Sequence, residues 1–290
     1  MIRKVEHIFS PKTPHFVGDG FRVHNFIPGY PQLNQKRMDP FIMLDYNSKY
    51  VFPPSEIPKG VGVHPHKGFE TVTIAYHGRV EHGDSSGGGG VIGEGDVQWM
   101  TAGNGVLHKE FHETEWSKEG GVFQMIQLWV NLPAKDKVSP PKYQSVSKET
   151  IKTKTLEDGL GSVEVIAGKY RDVIGSASTF TPIEMYNFKG QKGAHATFSI
   201  PASHNTFILV VEGNVIVNGT DEVKVNHLSL LANEGDEFTL DVQEDAVVFI
   251  AGGEPINEPI VHYGPFVMNT EQEIEEAIQD FQNGKFGNLN

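Results

Sequence analysis

The stretch HPHKGFETVTIAYHG, residues 64–78, contains the segment that decides the fold. Residues 69–76 are rich in β-branched and aromatic side chains, which favour a strand, and His77-Gly78 follows as a turn. Short apolar runs separated by glycine-rich turns recur along most of the chain. The long run of residues 121–132 has apolar side chains on both faces, as a strand inside a barrel or sandwich does. The sequence therefore predicts an all-β protein.

The length of 290 residues allows two ordinary domains. Residues 135–145 change in composition to Pro, Lys, Ser and Asp and form the best candidate for a linker. This divides the chain into a first domain of residues 1–134 and a second domain of residues 146–290. Both halves carry a Glu-Gly-Asp turn before an apolar strand, at residues 94–96 and 234–236, which indicates an internal repeat.

A short helix is predicted near the C-terminus. Thr270 can cap it, and Glu273 follows three residues later, as a capping box requires. Asn283-Gly284 is the expected end. The apolar residues between these signals share one stripe of the helix: Ile274, Ala277, Ile278 and Phe281.

Composition excludes several classes of function. The formal net charge is −13 and no Lys/Arg run is present, so direct binding to nucleic acid is not expected. No stretch approaches the roughly 18 apolar residues of a membrane span, and the N-terminus does not resemble a signal peptide. We therefore expect a cytoplasmic protein without a membrane partner.

The chain contains no cysteine, which excludes disulfides, thiolate ligands and cysteine nucleophiles. Any bound metal must use nitrogen and oxygen ligands, which suits Fe, Mn, Ni, Cu or Zn.

Two pairs of potential ligands stand out. His64 and His66 are two residues apart, and so are His108 and Glu110. Side chains two apart in a strand project to the same face, so each pair can point into a barrel. On neighbouring strands the two pairs offer three nitrogens and one oxygen to one ion, with coordination positions left for substrate.

Four other residues compete with this set or surround it. His112 shares the parity of His108 and Glu110, and Glu70 shares the parity of His66, so spacing alone excludes neither as a ligand. His77 and His82 have no partner at strand spacing and are expected at the surface or behind the ligands.

Several blocks resemble the signature motifs of the pirin family within the cupin superfamily, and the resemblance covers nearly the whole chain. The resembling blocks are residues 39–45, 64–73, 95–105, 108–110 and 252–269.

The resemblance implies two tandem cupin (jelly-roll) β-barrels, of which the second carries no metal pattern. It also implies one divalent metal ion in the first barrel, most often Fe(2+), with Mn, Ni, Cu, Co or Zn as alternatives. The implied ligands are His64, His66, His108 and Glu110. The general cupin pattern would use Glu70 in place of Glu110.

Some pirins are quercetin dioxygenases, so the resemblance implies a flavonol substrate, dioxygen, and ring opening with loss of carbon monoxide. Glu110 is the expected catalytic proton acceptor. Phe41, Met43 and Trp99 are the expected apolar pocket residues. The alternative implied by the family is a metal- or redox-sensing regulator that binds a protein partner, either a transcription factor or a metabolic enzyme.

Overall fold

A computed structural model describes residues 1–289. The chain divides into two compact units. Unit 1 contains residues 1–12, 37–40 and 149–255, and unit 2 contains residues 13–36, 41–148 and those from 256 onward. Within residues 1–289, no helix is both long and apolar enough to cross a membrane.

Strands dominate both units, which confirms the predicted all-β class. In the first half they are β1 Val5–Phe9, β2 His15–Val17, β3 Phe21–Ile27, β4 Phe41–Phe52, β5 Gly60–His66, β6 Phe69–His77, β7 Val80–Asp84, β8 Gly89–Ile92, β9 Val97–Thr101, β10 Val106–His112, β11 Gly121–Asn131 and β12 Lys142–Val146. In the second half they are β13 Lys152–Thr155, β14 Gly161–Ala167, β15 Lys169–Tyr170, β16 Val173–Ile174, β17 Ile183–Gly190, β18 His195–Ser199, β19 Asn205–Val217, β20 Asp221–Val223, β21 Leu228–Leu231, β22 Glu237–Gly253, β23 Val261–Tyr263 and β24 Phe266–Met268.

Helices are short and few in the described chain: α1 Gln35–Met38, α2 Thr114–Glu119 and α3 Glu271–Gln282, with 3-10 turns at Pro31–Leu33 and Ala134–Asp136. The predicted C-terminal helix is confirmed as α3, and Thr270 and Glu273 form the predicted capping box. Ile274 and Ala277 are buried, whereas Phe281 is 41% exposed, so the apolar stripe is narrower than the sequence indicated.

Unit 2 consists of two main sheets. Seven strands pair in the order β12-β9-β6-β11-β4-β3-β2, and four strands pair in the order β5-β10-β7-β8. All these neighbours run antiparallel. Side chains from both sheets line one cavity between them, so the unit has the two-sheet build of a jelly-roll barrel.

The alternation of side chains decides what this barrel holds. On β11, Gln127 and Trp129 point to the cavity, whereas Ile126 and Leu128 point the other way and are fully buried. On β10, every second residue from Val106 to His112 is buried. The interior of unit 2 therefore receives many polar side chains, while apolar residues cover the other face of the seven-stranded sheet.

Unit 1 has a different interior. Its sheet runs in the order β1-β21-β19-β22-β17-β14-β13, with β18 paired to β22 and β20 paired to β19. Strand β22 has 17 residues and pairs with β18 along its first part and with β17 along its last part. Its interior is filled by a large cluster of apolar side chains, among them Val163, Tyr186, Phe198, Ile208 and Phe238.

The C-terminal segment does not belong with the second half of the chain, in contrast to the predicted domain of residues 146–290. It belongs to unit 2, where Val267 N donates to the carbonyl of Lys67 at 3.0 Å. Lys67 Nζ also donates to Asp280 of α3 at 2.8 Å. Conversely, β1 belongs to unit 1 because it pairs with β21. Terminal strand pairing of this kind leaves no mark in local composition.

The predicted linker of residues 135–145 is part of unit 2 as well. β12 begins within it and pairs with β9. Lys137 is 1% exposed, and its Nζ donates to the carbonyls of Gly68 and Val267 and to Asn131 Oδ1. The proline- and lysine-rich composition of residues 135–145 therefore reflects the buried, hydrogen-bonded amine of Lys137 and a strand at the edge of the seven-stranded sheet.

We expect Gly105→Ala to destabilise the protein. Gly105 has φ +118°, a conformation that favours glycine, and a Cβ there would overlap the ring of Phe286, which is buried. The expected loss is about 2–4 kcal/mol from strain and overpacking, measured as the free energy of unfolding in denaturant. Gly93→Ala is the matched control, since a Cβ at residue 93 meets nothing closer than 3.8 Å. Equal stability of the two variants would contradict this packing of the C-terminal segment.

Candidate metal centre

Three imidazoles meet on the four-stranded sheet of unit 2. Strands β5 and β10 are antiparallel neighbours, with His64 opposite His108 and His66 opposite Val106. The ring centroids of His64 and His108 are 4.3 Å apart, those of His66 and His108 are 4.6 Å apart, and those of His64 and His66 are 4.8 Å apart. One ligand atom from each of the three lies within 4.8 Å of the others. The structure thus brings the three predicted histidines together.

Glu110 lies next to this cluster, beside His108. Its Oε2 is 3.5 Å from His108 Nε2 and accepts a hydrogen bond from Gln127 Nε2 at 2.9 Å. Glu110 and His108 form a second potential ligand group together with His82. The four predicted ligands are therefore split between two groups of three that share His108: His64 and His66 belong to the first, whereas Glu110 belongs to the second with His82.

Unpaired polar atoms test whether a metal fits here. Among residues 1–289, both ring nitrogens of His108, Oε1 of Glu110 and Nε2 of His82 have no hydrogen-bond partner, although all three side chains are buried. Leaving such atoms unpaired away from water costs about 1–3 kcal/mol each. A cation would take one ring nitrogen of His108 and Oε1 of Glu110 as ligands, so these residues fit a metal ion.

The charge states also suit a metal. Burial lowers the pKa of His66 well below its usual range and that of His108 to about 4, so both rings are neutral near pH 7. For Glu110, burial alone would raise the pKa, but the neighbouring His108 and the hydrogen bond from Gln127 lower it to about 2. Neutral imidazoles and an ionised carboxylate are the forms that coordinate metals.

His82, which the sequence places either at the surface or behind the ligands, is not at the surface. Its side chain is buried, and its ring centroid lies 5.0 Å from that of His108. Gln98 Nε2 donates to His82 Nδ1 at 3.0 Å. Strand β7 pairs with β10 and places His82 opposite Glu110. Spacing along the chain carries no signal of this pairing, which is why sequence reasoning missed it as a possible ligand.

The competing residues lie apart from both groups. Glu70 points to the opposite face of its sheet from Thr71 and Thr73, and its Oε1 accepts from Thr101 at 2.7 Å. His112 faces the barrel but ends β10, where its Nε2 bonds the carbonyl of Gly20 at 2.8 Å. His77 lies at the end of β6, where its Nδ1 is 3.1 Å from Glu94.

A cavity of about 380 Å³ opens beside the cluster, within the range of small-molecule sites. Met43 lines it, as predicted. Phe41 and Trp99 do not: both are fully buried in the packed protein interior, and Trp129 and Phe21 supply the aromatic walls instead. The apolar lining is Val17, Phe21, Val23, Met43, Val61, Met125, Trp129 and Pro265, and the polar lining is Asp45, Asn47, His64, His66, Glu110 and Gln127.

A second cavity, of about 470 Å³, lies in unit 1 and is lined by residues such as Gly161, Lys189 and Asp245. No histidine lines it within the described part of the chain. The cavity in unit 2 is therefore the candidate site although its volume is smaller, because histidines and Glu110 line it.

Comparison with known proteins places these features in context. A family model described as Pirin matches residues 20–130, and one described as Pirin C-terminal cupin domain matches residues 185–287. A Pseudomonas aeruginosa protein named "Putative quercetin 2,3-dioxygenase" is 43% identical over 285 residues, 98% of this chain and 99% of that protein. Pirin of Rattus norvegicus is 40% identical over 93% of this chain and 89% of its own length.

A solved structure shows the same fold. The crystal structure titled as quercetin 2,3-dioxygenase from Acinetobacter baumannii, at 1.88 Å resolution, is similar with a TM-score of 0.93. Its sequence is 48% identical, and the match covers 100% of both chains.

Metal content distinguishes the two overlapping ligand groups. We expect protein purified without added metal to contain an ion, and His64→Ala, His66→Ala and His108→Ala each to lose most of it. His82→Ala should keep the ion, because His82 Nδ1 accepts from Gln98 and the ring proton is therefore on Nε2, which lies 3.6 Å from Asp84 Oδ2. His195→Ala, an exposed histidine of unit 1, is the control. Elemental analysis that finds the ion in His64→Ala but not in His82→Ala would place it in the second group instead.

Glu70 gives the stability of the protein a distinct pH dependence. Burial raises its pKa from 4.5 to about 7, so the folded state favours the protonated acid. Its stabilising contribution is therefore complete below pH 4.5 and is lost as the pH rises through 7, by about 3 kcal/mol in total. Glu70→Gln, which stays neutral, should lack this decline. Unfolding free energies of both proteins from pH 4 to pH 8 test this prediction. The same dependence of the unfolding free energy on pH in both proteins would refute it.

Proposed function

The chain belongs to the pirin family, and on that premise we propose that it is a metal-dependent dioxygenase acting on a flavonol such as quercetin. The reaction is a 2,3-dioxygenation that opens the ring and releases carbon monoxide. The observation that carries this proposal is the cluster of three imidazoles at the polar side of a largely apolar cavity. Similar proteins that bear the quercetin dioxygenase name support the choice of substrate.

The proposed ligands are His64, His66, His108 and Glu110, and the proposed ion is Fe(2+). Mn, Ni, Cu, Co or Zn would fit the same nitrogen and oxygen donors. When bound, the ion supplies Lewis acidity and, if redox-active, electron exchange with dioxygen. Gln127 holds Glu110 through its hydrogen bond to Oε2, which leaves Oε1 without a partner among the described residues.

The walls of the cavity would bind and orient the substrate. Trp129 stacks on Phe69 with 4.2 Å between ring centroids, and its ring lies 5.1 Å from that of His66. It is thus a rigid aromatic surface directly beside the cluster. Met43, Met125 and Phe21 continue the apolar lining. A flat aromatic ligand between these side chains would exclude water from the imidazoles.

The test is turnover under controlled metal content. Protein reconstituted anaerobically with Fe(II) and then given quercetin and oxygen should consume quercetin, measured as a loss of flavonol absorbance, and release carbon monoxide. His66→Ala and Glu110→Ala should lower kcat/KM at least about 100-fold, because each removes a proposed ligand. His195→Ala should match the wild type, since its side chain is exposed in unit 1. A fully loaded wild-type protein without carbon monoxide release would contradict the proposed function.

A further inference from the structure

Two polar residues of the cavity belong neither to the proposed ligand set nor to the apolar wall. Asp45 and Asn47 lie two residues apart on β4, share its inward face and line the cavity with His64, His66 and Glu110. Asp45 is 8% exposed and Asn47 is 1% exposed. Burying a carboxylate and an amide is unfavourable unless they have partners.

Asp45 is held in a defined position. Its Oδ1 accepts a hydrogen bond from Asn25 Nδ2 at 2.8 Å. Across the sheet it pairs with Gln127, the residue that donates to Glu110. The cavity therefore contains two carboxylates, one on each sheet, and Gln127 stands beside the first and bonds the second. Each carboxylate has its own amide donor.

Asn47 lacks any such partner. Neither its Oδ1 nor its Nδ2 forms a hydrogen bond within residues 1–289. An amide this deeply buried normally has both atoms paired, so its position at the cavity surface indicates that a ligand provides the missing partner. A ligand oxygen can accept from Nδ2, and a ligand hydroxyl can donate to Oδ1.

We propose that Asp45 is the catalytic proton acceptor for an aromatic hydroxyl of the substrate and that Asn47 binds a neighbouring oxygen substituent. This inference rests on the proposed dioxygenase function. The hydroxyl O–H bond breaks, the proton forms a new O–H bond on the Asp45 carboxylate, and the electron pair stays on the substrate oxygen. The proton later leaves to the product or to water, which restores the carboxylate.

Asp45 suits this role better than Glu110, the acceptor expected from the sequence. Glu110 lies against His108 and is bonded by Gln127, a position that commits its oxygens to the proposed ion. Asp45 lies instead among cavity residues such as Val23, Met43 and Met125. Carboxylates that share a cavity but differ in surroundings commonly divide the roles in this way.

The surroundings of Asp45 also strengthen it as a base. Burial raises its pKa, while the hydrogen bond from Asn25 and the nearby His15 on β2 act in the opposite direction. From β11 it meets the uncharged Gln127, and the titratable groups on the far side of the cavity are His64, His66 and Glu110. Activity should therefore be lost as the pH falls through the pKa of Asp45.

Asp45→Asn is the direct test, in metal-loaded protein. It keeps the shape of the side chain but cannot accept a proton, so kcat for quercetin should fall at least about 100-fold while anaerobic quercetin binding changes less than about threefold. The absorption band of ionised quercetin bound anaerobically should appear only at higher pH than in the wild type. Asp172→Asn, an exposed aspartate of unit 1, is the matched control and should change none of these quantities.

Two further variants separate chemistry from folding. Asn25→Ala removes the bond to Oδ1 and should move the acidic limb of the kcat/KM profile to higher pH. Asn47→Leu should weaken quercetin binding about tenfold, without moving that limb, and should raise the thermal midpoint because an unpaired buried amide is removed.

The outcomes are distinct. Wild-type turnover with Asp45→Asn unchanged in kcat and in the bound spectrum overturns the role of Asp45 alone. If the wild-type protein binds quercetin and shows the absorption band of the ionised flavonol but does not consume it, the dioxygenase function is overturned. The role of Asp45 as proton acceptor is then still supported. A wild-type protein that does not bind quercetin overturns both.

Discussion

The structure of unit 2 depends on keeping imidazoles uncharged inside a barrel. Burial lowers the pKa of His66 and His108, and the ring nitrogens of His108 have no hydrogen-bond partner in the described chain. A protein interior tolerates such unpaired atoms only where something outside the chain completes them. A metal ion would do so, and the neighbouring Glu110 would supply a negative charge that offsets part of the cation's cost of burial.

The two units show what this requirement changes. Unit 1 fills its interior with apolar side chains such as Phe198 and Ile208, which need no partner. Unit 2 replaces that filling with a belt of polar residues that follow one another across paired strands, from Asp45 to Gln127 to Thr73 to Gln98. Two members of the belt contact the candidate centre, since Gln127 bonds Glu110 and Gln98 bonds His82. One architecture can thus support a packed core or an orienting shell, depending on the inward-facing residues.

Sequence alone reached the fold class, the C-terminal helix and the family, because those features depend on local alternation, capping and contiguous motifs. The inward pairing of His64 with His66 followed from strand periodicity, and His82 was missed because its approach to His108 depends on the pairing of β7 with β10. Phe41 and Trp99 were wrong pocket residues because residue type does not distinguish a cavity wall from a packed core. The predicted domain ends differ from the bounds of the two compact units for a similar reason, since β24 and α3 belong to unit 2 through contacts with Lys67.

A crystal structure of protein purified without added metal, with diffraction data collected above and below the iron absorption edge, addresses the central claim most directly. The account predicts one anomalous peak in unit 2, at bonding distance from His64, His66, His108 and Glu110. A peak bounded by His82 instead of His64, or density for water alone among the imidazoles, would contradict it.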